Sequence, residues 1–256
     1  MAKDLLSPRH RGELERLATG RTLLAFDYDG VLAPLIQDPQ GAPMRASTRR
    51  LVRELVESWP VAVVSGRAFA HTLELSGGIA SVVVGNHGYE LGHARPVPRR
   101  ILDLVADWRA ELERELADQP GIYFEDKRST LSVHYGLDRR WRAAEDQVLE
   151  AAGRLEGARL VRGKKVLNVI PAELPNKGDA LLTLLRRMRL DVALYVGDDV
   201  TDEDAFAIGP PRVFGVHVGR GRTLAPWRVR SQDRVDELLR ILAALRRRRR
   251  ASGGPR

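Results

Sequence analysis

Cysteine is absent from the 256 residues, which removes disulfides, thiolate nucleophiles and cysteine-ligated zinc together. The chain must then fold on its apolar core. It is long enough to bury a substantial one, either as one large domain or as a core with a smaller insert. The gap also fits a reducing compartment. No apolar stretch approaches the roughly 20 residues needed to cross a bilayer. Residues 1–20 are charged throughout, unlike a secretory leader, so the expectation is a cytoplasmic protein with no membrane partner. Internal repeats are lacking too, and low complexity is confined to the C-terminal end.

Charge of one sign is scarcer than it first looks. The formal net charge is +8, but six of the positive charges are Arg246–Arg250 and Arg256, leaving about +2 on residues 1–245. Nucleic acid is therefore not an expected partner of the body. Residues 246–256 read as a basic, solvated, disordered tail. Attachment to nucleic acid through that tail is the alternative, and it would show as a steep salt dependence.

Short apolar runs with β-branched residues fall at Thr22–Phe26, Val61–Val64, Ser81–Val84, Val192–Val196 and Arg212–Val218. They alternate with helical patterns near Thr48–Ser58, Ala68–Leu75, Lys177–Met188 and Asp233–Arg247. Such alternation predicts an α/β fold, a doubly wound parallel sheet whose all-apolar strands are covered on both faces. Between Pro96 and Pro175 the pattern changes to helix Ile101–Asp118, strands Tyr123–Glu125 and Thr130–Tyr135, helix Arg140–Gly153, and strands Arg159–Arg162 and Lys165–Ile170. That reads as an inserted α+β cap, 97–172, bounded by prolines, within a core of 1–96 and 173–245.

Chemistry-bearing residues gather just after the apolar runs, where open parallel sheets hold their ligands. Asp27-Tyr28-Asp29-Gly30 follows the first run, and Gly30 frees the backbone for a sharp turn. Asp27 can act as a carboxylate nucleophile, and Asp29 as the group that protonates a leaving oxygen and later deprotonates water. A plain turn rich in turn-forming residues is the other reading. Ser65-Gly66-Arg67 places a hydroxyl and backbone N–H groups at a helix start, which suits an anion as well as it suits an unliganded N-cap. Lys177 opens a later helix and offers a cation, either to a phosphate or to solvent. Asp198, Asp199 and Asp202 crowd one short loop, a hard-oxygen set that suits Mg²⁺, although acids also favour a helix N-terminus. Together these groups make phosphoryl transfer the leading reading. A carboxylate attacking a phosphomonoester meets roughly 4 kcal/mol of repulsion per charge pair at 4 Å and an effective dielectric of 20, so the site requires cations.

The order Asp-Tyr-Asp-Gly, Ser-Gly-Arg, Asn-Lys-Gly, Gly-Asp-Asp-Val-Thr-Asp-Glu-Asp resembles the four motifs of the haloacid dehalogenase-like phosphatases, with the insert placed as their α+β cap. Gly85–Glu90, Glu125-Asp126-Lys127, Ser132–Tyr135 and Gly197–Phe206 resemble the trehalose branch of that superfamily over about residues 20–240. The resemblance implies Mg²⁺-dependent hydrolysis of a sugar phosphate, trehalose 6-phosphate; a monomer is the expectation for the chain. It implies Asp27 as nucleophile, Asp29 as acid/base and backbone metal ligand, and Ser65 and Lys177 as phosphate holders. Asp198 would be the principal metal carboxylate beside Asp27, with Asp199 and Asp202 behind it. Gly66, Arg67, Asn86, His87, Glu125, Lys127, His134 and Asn168 would bind substrate. Gly136 and Asn168 depart from the pattern, which usually has Arg and an acid there, and Val31 stands where Thr is commonest. Those departures keep open another glycosyl phosphate, and a sensor that binds without turnover is the reading from a different class.

Overall fold

Alternation along the central strand decides the layering. In Thr22–Asp27 every residue is buried, and a strand sends successive side chains to opposite faces. Leu24 and Phe26 join Val61, Val63, Leu194 and Val196 under the helices Ala46–Val56 and Val235–Ala251, whose Leu51, Leu55, Leu238 and Leu242 complete that layer. Leu23 and Ala25 join Ala62, Val64, Ala193 and Tyr195 on the other face, against Leu181, Leu184 and Leu185 of the helix Lys177–Met188. Two covered faces explain why these strands carry almost no polar residue.

The computed structural model describes residues 2–36, 41–136, 141–163 and 165–251, without the side chains of 250 and 251. It divides into two compact units, residues 1–94 with 176–256, and Arg95–Pro175. The first holds an eight-stranded sheet in the order Lys3–Asp4, Trp227–Val229, Val213–Val218, Val192–Gly197, Thr22–Asp27, Val61–Val64, Val82–Gly85 and Glu90–Leu91. All neighbours in it are parallel except the last pair. This is the doubly wound α/β architecture. The short strands Lys3–Asp4, Glu90–Leu91 and Trp227–Val229 have no counterpart in the sequence reading, since two or three residues are too few to display a period.

The second unit has a four-stranded antiparallel sheet, Tyr123–Asp126, Leu131–His134, Val166–Pro171 and Ala158–Gly163 in spatial order. Helices Arg99–Glu115 and Trp141–Ala152 cover one face. Ile101, Val105, Trp108 and Leu112, at helical spacing, pack with Val148, Leu131, Val133, Leu167 and Val169. Arg140, taken from the sequence as the start of the second helix, lies outside the described residues, as does Lys164.

One expectation is corrected. The basic segment from 246 is not a disordered tail as far as it is described, because the last helix continues through it to Ala251. The apolar face of Leu238, Leu239, Leu242 and Leu245 carries the helix along the core. Beyond it Arg246 donates to the carbonyls of Ser58, at 3.1 Å, and Ala18, at 3.0 Å, and its guanidinium lies 4.7 Å from the Trp59 ring centre. Arg247 pairs with Glu54, and Arg249 donates to Ala18 at 2.6 Å. Cations placed on the carbonyl ends of two other helices are favourably sited. Residues 252–256, with Arg256, are outside the described part. Among the described residues no helix is long and apolar enough to cross a membrane.

Candidate active site

Strand register brings the motifs together. Asp27 stands opposite Val64, so Ser65 begins the neighbouring loop at the same sheet edge. Phe26 stands opposite Val196, which puts Gly197 level with Asp27 and Asp198 just beyond. Three segments far apart in sequence thus deliver their polar residues to the carboxyl end of one parallel sheet.

The fourth arrives on a helix. Asn176 caps Lys177–Met188 through its side-chain oxygen, which accepts from the Asp179 N–H at 3.0 Å, and the Asp179 carboxylate accepts from the Asn176 N–H at 3.0 Å. This reciprocal cap fixes the helix start, and with it Lys177 in the first turn. The Lys177 side chain is 2% exposed, and its ammonium lies 2.7 Å from Asp202 Oδ1 and 3.1 Å from Asp27 Oδ1.

Asp202 is spent within this cluster. Its Oδ1 also accepts the Tyr195 hydroxyl at 2.5 Å, and its Oδ2 accepts the backbone N–H groups of Asp198 and Asp199 at 2.8 and 2.9 Å. It is fully buried with both oxygens bonded, so its work is to shape the loop and hold Lys177. Tyr195 escaped the sequence reading because in the run Val192–Val196 it looks like any core residue; only the partner of its hydroxyl shows otherwise.

Gly30 adopts φ +74°, and a Cβ there would sit 2.0 Å from Asp198 Oδ2. Only glycine lets the first loop come this close to the last one. Tyr28 fastens that first loop below, donating to the carbonyls of Ala42 and Leu75 at 3.0 and 3.1 Å. Asp29 is gripped from the side: Arg67 donates to it through Nε at 2.7 Å and a terminal nitrogen at 3.0 Å, the two-pronged geometry guanidinium favours. The Arg67 N–H donates to Ser65 Oγ at 3.1 Å.

Asn86 and His87 are both buried with positive φ, next to this loop. The Asn86 N–H donates to Arg67 O at 2.7 Å and the His87 N–H to Ser65 O at 3.0 Å. The Asn86 amide donates to Glu90 at 2.8 Å, and the same Glu90 oxygen accepts the Phe69 N–H at 2.7 Å. Glu90 thereby ties the Asn86 turn to the helix Phe69–Ser76, a bracing role that the segment Gly85–Glu90 did not reveal as sequence.

The charges fit a cation. Oxygens of Asp27, Asp198 and Asp202 lie within 4.8 Å of one another. Burial first, then the neighbouring Asp202, Asp198 and Asp29, push the Asp27 carboxyl well above its usual range against the pull of Lys177. Burial, with Asp202 and Asp199, pushes Asp198 up to about 7. Burial acts to lower Lys177, but Asp202 and Asp27 outweigh it, and the ammonium stays charged. Three carboxylates against one ammonium leave a deficit of two positive charges. A hard divalent ion suits both that deficit and an all-oxygen donor set. With Asp202 committed elsewhere, Asp27 and Asp198 are the carboxylates left for it.

In the second unit, Glu125, Lys127 and His134 also meet. Glu125 Oε2 lies 2.9 Å from His134 Nε2 and 3.5 Å from Lys127 Nζ. Asn168 is turned inward, accepting the Ser132 hydroxyl at 2.7 Å and donating to Val161 O at 3.4 Å. A Cβ at Gly136 would lie 2.6 Å from Lys165 Cδ, so the stem of Lys165 fills the space that a side chain at 136 would occupy. The Lys165 ammonium lies over Trp141, 5.5 Å from its centre.

Residues 25–233 match the family model described as trehalose-phosphatase. The chain belongs to that family. It is 31% identical over 92% of its length to "Probable trehalose-phosphate phosphatase 9" of Oryza sativa subsp. japonica, covering 74% of that protein. It is 32% identical over 78% of its length to the trehalose-phosphate phosphatase of Mycobacterium marinum. There it spans 54% of the relative, about half. The C-terminal domain of Candida albicans trehalose-6-phosphate phosphatase superposes with a TM-score of 0.79 at 23% identity, covering 95% of this chain and 98% of that one. That likeness shows a common fold, the haloacid dehalogenase-like one expected from the sequence.

Proposed function

We propose that this family member hydrolyses trehalose 6-phosphate to trehalose and phosphate, with Asp27 as the attacking group. The observation that carries the reading is Asp27 itself: a carboxylate at the end of the central strand, 3.1 Å from a buried ammonium and beside Ser65 and Asp198. In the first step a carboxylate oxygen of Asp27 forms a bond to phosphorus while the bond from phosphorus to the sugar oxygen breaks. Asp29, once released from the Arg67 pair and protonated, supplies the proton that the departing oxygen takes up. Asp29 then accepts a proton from water, whose oxygen displaces Asp27 from phosphorus and releases phosphate. Lys177, the Ser65 hydroxyl and the Gly66 N–H hold phosphoryl oxygens. Asp27, Asp198 and the Asp29 carbonyl would hold Mg²⁺, which offsets phosphate charge when bound. Asp199 and Asp202 keep the loop beneath it in shape. Glu125, Lys127 and His134 supply hydrogen bonds to sugar hydroxyls, and Gly66, Asn86 and His87 border the phosphate.

The test is phosphate release from a panel of sugar phosphates with and without Mg²⁺, repeated with Asp27→Asn. Turnover of trehalose 6-phosphate that requires Mg²⁺ and falls to background in the variant, with substrate binding kept, is the expected result. Two observations favour a second reading within the same chemistry, another glycosyl phosphate: Gly136 carries no side chain, and the Asn168 amide is used internally. Preference for another sugar on that panel would select it. Binding without turnover in the unmutated protein would instead mark a sensor.

A further inference from the structure

The four-stranded sheet of the second unit has one face covered by helices and one that they do not cover. Strand alternation assigns the residues: Phe124, Val133 and Leu167 point to the helices, so Tyr123, Glu125, Ser132, His134 and Asn168 share the opposite face. On that face Tyr123 stands out. It is a large aromatic side chain, 55% exposed, on a regular strand directly opposite His134, with the two ring centres 5.9 Å apart. Nothing in the folding of the unit calls for it there, since the core lies on the other side.

Its neighbours are specific in kind. Glu125, two residues along the same strand and face, is held by His134 and Lys127 through Oε2 alone; among the described residues Oε1 has no hydrogen bond. The same holds for the second ring nitrogen of His134. An exposed ring face beside a fixed carboxylate oxygen, an imidazole nitrogen and an ammonium is the combination that matches a pyranose. The aliphatic C–H face of the sugar covers an aromatic ring, and its equatorial hydroxyls need directional donors and acceptors at the rim. A purely anionic ligand would not use the ring, and an apolar one would leave the polar groups unpaired.

We infer that Tyr123 is a specificity-determining residue, the platform on which one glucosyl ring of the substrate stacks while Glu125, Lys127 and His134 bond its hydroxyls. This rests on the reading that a sugar phosphate is the substrate, and adds to it the group that tells a glycosyl ester from other phosphate esters. The ring face does the work, not the hydroxyl.

The experiment compares the unmutated full-length protein, Tyr123→Phe and Tyr123→Ala on trehalose 6-phosphate and on p-nitrophenyl phosphate, which has no sugar. The expected result for Tyr123→Ala is a fall of about tenfold in the ratio of kcat/KM for the two substrates, arising in KM for the sugar phosphate. Tyr123→Phe should keep the ratio within about twofold, because its ring face is intact. An unchanged ratio in Tyr123→Ala would overturn the inference, as would a loss in Tyr123→Phe as large as in Tyr123→Ala. A fall seen in kcat alone would overturn it too, pointing to a structural disturbance. If the unmutated protein cleaves p-nitrophenyl phosphate but not the sugar phosphate, the substrate reading itself fails, an outcome distinct from a change confined to the variants.

Discussion

Two charged clusters, one in each unit, are built on opposite terms. Lys177, Asp27 and Asp202 are almost wholly withdrawn from water, the ammonium lies 3.1 Å from Asp27 and 2.7 Å from Asp202, and Tyr195 and two backbone N–H groups bond the same Asp202 carboxylate. Glu125, Lys127 and His134 keep between 26 and 38% of their side-chain surface exposed, and only one oxygen of the carboxylate is used. In the first cluster desolvation makes each charge depend on the others, so the geometry is rigid before any substrate arrives. In the second, water still competes for every bond, and the groups remain available to a ligand. Phosphoryl chemistry needs the former arrangement, because charge stabilisation is strongest where reorganisation is least. Recognition of hydroxyls is served by the latter.

The largest break in that comparison should come from Lys177→Met. Removing the ammonium leaves Asp27 and Asp202 buried without their counter-charge, a change that costs about 3–5 kcal/mol. Urea denaturation of the variant should show a loss of that order, together with loss of phosphatase activity. Near-wild-type stability would mean that the cluster is wetter than its packing indicates.

Next in size is a pH effect confined to the first cluster. The Asp198 carboxyl is raised to about 7 by burial and by Asp202 and Asp199. An acid whose folded value exceeds its unfolded one binds protons more tightly in the folded state. The associated stability is therefore present at pH 4 and is lost as pH rises to about 7. Magnesium reverses the sign of the preference, since it needs the ionised form. Without metal, melting temperature should fall from pH 5 to pH 8; with saturating Mg²⁺ the fall should shrink or vanish. Calorimetric Mg²⁺ affinity should weaken below pH 7. A metal-free protein whose melting temperature is flat over this range would contradict the crowding of Asp27, Asp198 and Asp202.

The same contrast explains what could be read from the sequence. The sheet was legible because strands covered on both faces are written in apolar residues alone, as at Val61–Val64, and the motifs because their residues follow those strands directly. Lys177 was legible as a helix-opening cation. Its partnership with Asp202 in place of solvent was not, because it depends on strand register and on the Asn176–Asp179 cap together. Tyr195 and Glu90 act through side-chain hydrogen bonds that composition does not reveal. The Arg run read as a tail since its acceptors, the carbonyls of Ala18 and Ser58, belong to other elements. Arg67 and Asp29 lie 38 residues apart, and only pairing of adjacent strands makes them neighbours.

The smallest expected effect lies in the second cluster. The bond from His134, set against burial and helped by Lys127, holds the Glu125 carboxyl below its ordinary value of 4.5. A depressed acid contributes stability above that value, lost as pH falls through the lower folded one, so the contribution is complete at neutral pH. Solvent screens it heavily at this exposure, and Glu125→Gln should cost less than about 1 kcal/mol by urea denaturation. On the proposed role of Glu125 the same substitution would leave a neutral oxygen in place of a charged acceptor for the hydroxyls, so KM for the sugar phosphate should rise by more than the stability loss suggests. A variant that loses several kcal/mol would show the second cluster to be a folding element like the first. One that loses neither stability nor affinity would show that its charges are only surface decoration.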